Sequence, residues 1–164
     1  MKSPQIIPLK IFQLEELQRQ LERLRLLKKT IAFTNGVFDI IHQGHIASLS
    51  EAASEADFLV VALNSDASTK RLKGSQRPVN DQQARATVMA SLLMVDAVII
   101  FEEDTPLELI NALKPDELVK GGDYSLEQIV GAKEVMANGG RVVINPIVEG
   151  FSSSTLIEKI KSGN

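Results

Sequence analysis

The sequence predicts an α/β fold: a parallel sheet of about five strands with helices on both faces, preceded by one further helix. Three observations carry this. Phe58–Leu63 is apolar without interruption, as a strand covered on both faces must be. Gly44–Ala56 places Ile46, Leu49, Ala53 and Ala56 on one side at helical spacing. Segments of these two kinds then alternate to the end of the chain, the order that generates right-handed strand–helix–strand crossovers.

Taken in order, residues 1–8 contain Pro4 and Pro8 and read as an irregular lead-in. Leu14, Leu17, Leu21, Leu24 and Leu27 follow with Glu, Gln and Arg between them, an amphipathic helix of about four turns. That helix packs on the domain or on a partner subunit, the second arrangement making a homo-oligomer. We therefore divide the chain into a lead-in with its helix, 1–29, and a main domain, 30–164. Thr30–Thr34 is a short strand, Gly44–Ala56 a helix and Phe58–Leu63 a strand. Asn64–Asn80 reads as a polar loop carrying Lys70, Arg71, Lys73 and Arg77, long enough to imply a binding or lid role. Asp81–Val95 is helical, Ala97–Phe101 a strand, and Pro106–Leu113 a helix capped by Asp104 or Thr105. Glu117–Lys120 is a strand, and Leu126–Asn138 a helix ending at Gly139-Gly140. Arg141–Ile147 is the last strand and Ser152–Lys161 the last helix. In such sheets ligands bind beyond the carboxyl ends of the strands, near the point where strand order reverses. Function is therefore expected in the loops after Thr34, Leu63, Lys120 and Ile147.

Composition removes several classes. A net charge of −3 argues against a nucleic-acid partner, which would call for a basic footprint. The absence of cysteine removes disulfides, thiolate catalysis and cysteine-ligated zinc. No basic-then-apolar leader opens the chain, and no apolar run approaches the ~18 residues of a spanning helix. A cytoplasmic protein without a membrane partner is expected.

Chemistry concentrates first in Thr34-Asn35-Gly36-Val37-Phe38-Asp39-Ile40-Ile41-His42-Gln43-Gly44-His45. Gly36 lets the backbone turn sharply after the first strand. The helix that follows offers free amides and a positive dipole end, a ready anion site. His42 and His45, three apart, can both point at one ligand and donate to a phosphate. They are the only two histidines of the chain. The bland reading is one buried and one capping histidine. A zinc pair is weaker still, because no further His or Cys exists to complete it.

This string resembles the G-x-F-D-x-x-H-x-G-H signature of the cytidylyltransferase-like nucleotidylyltransferases, which build on a Rossmann-like sheet. The resemblance implies that His42 and His45 are catalytic, holding the nucleotide phosphates and stabilising charge at the α-phosphorus. It implies nucleotide contacts from Asn35, Gly36, Phe38, Asp39 and Gly44. Further along, Asn64-Ser65-Asp66, Arg71-Leu72-Lys73-Gly74, Arg77-Pro78, Asp104-Thr105-Pro106-Leu107 and Lys120-Gly121-Gly122-Asp123-Tyr124 resemble the branch that makes ADP-heptose from heptose 1-phosphate, in its stand-alone form.

Read as residues, Lys73 is a third catalytic candidate, a point charge on a flexible stem that can reach phosphates. Arg77, beside Pro78, offers a fork for the phosphate of the substrate. The alternative for both is a solvated basic loop. Arg71 and Arg85 read as surface or structural charges. Lys120 ends an apolar strand, and a buried ammonium needs an anionic partner, so it is assigned to the substrate. Gly121-Gly122 lets backbone approach a flat ligand closely. Gly122 and Asp123 are then nucleotide-binding and Tyr124 substrate-binding, the alternative being a tight turn with Asp123 as a cap.

The final helix opens with Ser152, Ser153, Ser154 and Thr155, hydroxyls and free amides that suit phosphate, although an N-cap needs only one of them. The segment resembles the family's motif for the β- and γ-phosphates, with Lys159 where the cytidylyltransferase form has an arginine. Two further departures are Leu92–Asp96, which lacks the usual arginine and tyrosine, and Ile147, where another arginine is common. These differences favour ATP and heptose 1-phosphate as partners over CTP. The alternatives are a cytidylyltransferase acting on glycerol phosphate or a related alcohol phosphate, and a nucleotide-sensing module without catalysis. Mg2+ is expected with the triphosphate, with no dedicated protein ligand identified.

Overall fold

In a computed structural model of the chain, residues 3–122, 124–146 and 153–162 are described. Among them five strands form one parallel sheet: β1 (Ile31–Gly36), β2 (Phe58–Asn64), β3 (Ala97–Phe101), β4 (Glu117–Gly121) and β5 (Arg141–Asn145). Their order is β3-β2-β1-β4-β5, so the chain reverses its direction of travel across the sheet between β1 and β4. The α/β class and the strand count match the prediction from sequence.

The helices are α1 (Ile6–Leu9), α2 (Leu14–Leu26), α3 (Gln43–Ser54), α4 (Asp66–Lys73), α5 (Gln82–Ala90), α6 (Leu107–Leu113), α7 (Ala132–Ala137) and α8 (Ser153–Ser162). Alternation along the strands divides the core. Ile31, Phe33, Val60 and Ala62 face α2, α6 and α7 through Leu17, Leu21, Ile110, Leu113 and Val135. Ala32, Leu59, Val61 and Leu63 face α3 and α5 through Leu49, Ala52, Ala86 and Met89. Leu17 and Leu21 of α2 are wholly buried in the first of these clusters, so the N-terminal helix packs on its own domain.

Several expected boundaries change. The lead-in contains the short α1, and Ile11 then bridges the outer edge of β3 at Val98. The stretch 64–80 is not one loop, because α4 occupies half of it. Ser65 caps α4 by accepting from the Ser68 amide, and its hydroxyl donates to Glu102. Ser68 Oγ donates to the Glu103 carbonyl, and Arg71 pairs with Asp104 at 2.6 Å. Asp66 in the first turn and Lys70, Arg71 and Lys73 in the last also suit the helix dipole. The expected helix 126–138 is broken into a 3₁₀ turn, Leu126–Gln128, and α7. Gly131 stands between them at φ +88, where a Cβ would meet Ile110 Cδ1 at 2.4 Å. No helix of the described residues is long and apolar enough to cross a membrane.

Candidate functional site

β1 and β2 pair over six residues, but β1 and β4 pair only at Ala32–Glu117 and Phe33–Leu118. Beyond those pairs the two central strands part at their carboxyl ends, and a cleft of about 690 Å3 opens there. Lys120 and Asn35 would be the next-but-one partners in register. The Lys120 ammonium spans the gap and donates to Asn35 Oδ1 at 2.7 Å. No carboxylate approaches it among the described residues. Burial pushes its pKa down to about 8, as expected for an ammonium removed from water without an anion beside it.

The turn after β1 forms the floor. Phe38 adopts a left-handed backbone at φ +48, unusual for a bulky residue. Its ring folds back over Gly36, where a Cβ would lie 2.9 Å from Phe38 Cε2, so any larger residue there would displace the ring. His42 then caps α3 and His45 lies one turn on. Their rings stack with centroids 3.8 Å apart, and the Phe38 ring lies 5.2 Å from His45. His45 Nδ1 faces the His42 amide at 3.4 Å, a long contact that favours the tautomer with the proton on Nε2. Burial, and then the charge of His42, push His45 down to about 4; burial lowers His42 as well. Both are neutral donors at neutral pH. The Gln43 and Gly44 amides, in the first turn of α3, have no partner within the helix.

Lys73, the last residue of α4, and Arg77, just beyond it, also line the cleft. Lys73 therefore stands on a helix end rather than in a loop. Asp39 is held from several sides by the protein. Its carboxylate is wholly buried and accepts from Arg77 Nε at 2.7 Å and from the Val79 and Asn80 amides at 2.8–2.9 Å. Burial pushes this carboxyl up, but the two amides and the guanidinium outweigh it and hold the pKa below the ordinary value. The carboxylate is thus engaged by protein donors, while Asp39 still lines the cleft. Arg85 is equally buried and structural: it joins the Val37 carbonyl, the Asn80 carbonyl and the Asp66 carboxylate.

Of the remaining predicted residues, Asn35, Gly36, Phe38, Gly44, Tyr124 and Ser153 line the same cleft. Ser153, at the start of α8, donates to the Ile40 carbonyl at 3.0 Å and so ties that helix to the floor. Gly122 is buried behind the lining at φ +137, against the Tyr124 ring. Lys159 is exposed and does not line the cleft. Asp123, Ser152 and the side chain of Ser154 lie outside the described residues. Thr34, Val37, Ser48, Asn64, Leu72, Gly121 and Pro146 complete the lining, of which Ser48 and Pro146 stand outside every motif read from the sequence. Ser48 was within reach, since it lies one turn beyond His45 on the same helix face.

Among the described residues the lining thus holds Lys73, Arg77, Lys120 and two histidines against one acid, Asp39, which is already paired. A second cavity of about 610 Å3, beside β3 where residues 11–12 run along its outer edge, is lined by Glu102, Glu103 and Glu108 and by no cation. Within a chain of net charge −3, only the first of these two suits an anion.

Comparison with known proteins bears on this cleft. The family model described as cytidylyltransferase-like matches residues 33–159. The bifunctional protein HldE of Hyphomonas neptunium is 55% identical over 144 residues, 88% of this chain and 30% of that protein. The chain therefore spans about a third of the length of the curated relatives it matches. The crystal structure of a lipopolysaccharide core biosynthesis protein from Thermoplasma volcanium superposes with a TM-score of 0.60 at 30% identity, over 73% of this chain and 97% of that one. A pantoate–β-alanine ligase from Francisella tularensis shares the fold, with a TM-score of 0.65 at 17% identity, over 90% and 72% of the two chains.

Proposed function

This chain belongs to the cytidylyltransferase-like family of nucleotidyltransferases, and from that premise we propose that it transfers an adenylyl group from ATP to D-glycero-β-D-manno-heptose 1-phosphate, giving ADP-heptose and pyrophosphate. The observation that carries the reading is the cleft at the strand reversal, where the described residues supply three cations and two neutral histidines around a single, already neutralised acid. Such a lining suits two phosphorylated substrates at once. The choice of sugar is supported by the stretches 64–66, 71–74 and 120–124, which resemble the ADP-heptose branch, and by the similarity to a lipopolysaccharide core biosynthesis protein. The product would feed a surface glycan such as the inner core of lipopolysaccharide, from a cytoplasmic enzyme.

The mechanism needs little from the protein beyond charge and position. The acceptor phosphate is an anion at neutral pH, so no general base is required to make it a nucleophile. Its oxygen forms a bond to the α-phosphorus of ATP as the bond to the pyrophosphate oxygen breaks, the two in line. The amides at the start of α3 and the Nε2–H of His45 donate to α-phosphoryl oxygens, where negative charge accumulates. Lys73 moves toward the leaving pyrophosphate, and Lys120 and Arg77 hold the acceptor. Magnesium is read as arriving with ATP, where it offsets the charge of the triphosphate.

Pyrophosphate release across a panel of ATP and CTP against heptose 1-phosphate and glycerol phosphate tests this. Turnover is expected with ATP and the heptose. Comparable turnover with CTP and glycerol phosphate would assign the cleft to the other branch. Binding of ATP without pyrophosphate release from any acceptor would make the protein a sensor.

A further inference from the structure

Asp39 is the one acid in the cleft among the described residues, and its two oxygens divide their work. Oδ1 accepts from the amides of Val79 and Asn80, both at 2.9 Å. Oδ2 accepts from Arg77 Nε at 2.7 Å and shares the Val79 amide at 2.8 Å. The segment is latched a second time, by Asn80 Nδ2 donating to the Asp39 carbonyl at 2.8 Å. Three backbone-linked contacts therefore hold residues 79–80 without Arg77. The ion pair is surplus to that task, yet it is placed where the Asp39 carboxylate is wholly buried and the arginine only 14% exposed.

The pair also removes net charge from a lining that otherwise favours it. Among the described residues Lys73 and Lys120 form no ion pair, whereas Arg77 is neutralised. What a neutralised arginine still supplies is direction: with Nε engaged, its two Nη groups make no hydrogen bond among the described residues, and Arg77 lines the cleft. A guanidinium held by one edge presents its remaining donors as a fixed fork, the geometry that grips two oxygens of one phosphate.

We propose that Asp39 is a positioning residue that acts through Arg77, turning the Arg77 fork onto the phosphate of the acceptor. The identification of the acceptor rests on the reaction proposed above; the positioning role does not. Asp39→Asn separates the two tasks. The amide oxygen can still accept from Val79 and Asn80, but the new NH2 then opposes Arg77 Nε, donor against donor. Arg77→Lys leaves Asp39 and the 79–80 latch intact while removing the fork.

The test measures KM for heptose 1-phosphate and for ATP in the wild type, Asp39→Asn, Arg77→Lys and the double variant, with melting temperatures alongside. Each single variant is expected to raise KM for the sugar phosphate about tenfold, the scale of one charge-assisted contact, and to leave KM for ATP unchanged. The double variant should be no worse than Arg77→Lys alone. Additive losses, a change in melting temperature without a change in KM, or an effect on ATP in place of the sugar phosphate would each overturn the proposal. Inorganic phosphate separates this role from the choice of sugar. It should raise the melting temperature of the wild type and not of either single variant, even if the heptose is not a substrate. Equal protection of all three would also overturn the role.

Discussion

Replacing Lys120 by methionine should stabilise the unliganded protein and disable it. The Lys120 ammonium lies at the parting of β1 and β4, with Asn35 as its one hydrogen-bonding partner among the described residues. Burial lowers its pKa from 10.5 to about 8. A depressed ammonium pKa means that the fold disfavours the charged form. Below pH 8 the side chain is charged in both folded and unfolded chains, and the folded state carries the whole penalty. Between pH 8 and 10.5 the folded chain releases its proton first, and the penalty fades. At about 1.4 kcal/mol per unit the ceiling is roughly 3 kcal/mol. The side chain is not wholly removed from water, and methionine leaves Asn35 Oδ1 to be rehydrated, so a gain of about 1–2 kcal/mol is expected at pH 7. Urea unfolding of both proteins at pH 7 and pH 10 measures it. The advantage of Lys120→Met should be largest at pH 7 and shrink toward pH 10, while turnover falls by about 10²-fold. A variant less stable than wild type at pH 7, or an advantage indifferent to pH, would refute the assignment of Lys120 as an anion-seeking, poorly solvated cation.

The other expectations follow from neighbouring groups. His45 is lowered to about 4 against 6.5 unfolded, so the unfolded chain binds the extra proton between those values and stability falls as pH drops from 6.5 to 4. His45→Asn should flatten that limb by roughly 2 kcal/mol in urea titrations across the window, and His45→Ala should lose about 10²–10³ in turnover while remaining folded. Lys73→Ala should change unfolding free energy by less than about 0.5 kcal/mol, because the residue is exposed at a helix end, yet lower kcat; unchanged kinetics would return it to solvent. Arg85→Met should lower stability by about 3–5 kcal/mol, since it strands the Asp66 carboxylate and two carbonyls around a fully buried position; a melting temperature equal to wild type would contradict the structural role.

The strands and the phosphate turn were legible because their signals are local. Apolar runs such as Phe58–Leu63 have one reading in a doubly covered sheet, and Gly36, His42 and His45 act within a single turn and helix start. The helix α4 was not legible from periodicity. Its inner face is Ser68 and Thr69, held by hydrogen bonds to Asn64 at the end of β2 and to the Glu103 carbonyl just beyond β3, so no apolar stripe marks it. The signals that could have found it were Ser65 as a cap and the basic last turn. Asp39 shows the sharper limit. A motif places its carboxylate near the ligand, but which way it turns depends on Arg77, Val79 and Asn80, about forty positions away. The break at Gly131 likewise depends on Ile110 pressing from another helix, although the glycine itself was visible.

The central claim is that this cleft supplies position and charge, and that the acceptor phosphate attacks ATP directly. ATP made chiral at the α-phosphorus by sulfur or isotope substitution tests it in one measurement. A single displacement inverts that centre, so the sugar nucleotide formed from heptose 1-phosphate should show inverted configuration. Retention would mean two displacements through an adenylylated side chain, with a histidine of the stacked pair as the foremost candidate, and would contradict the account.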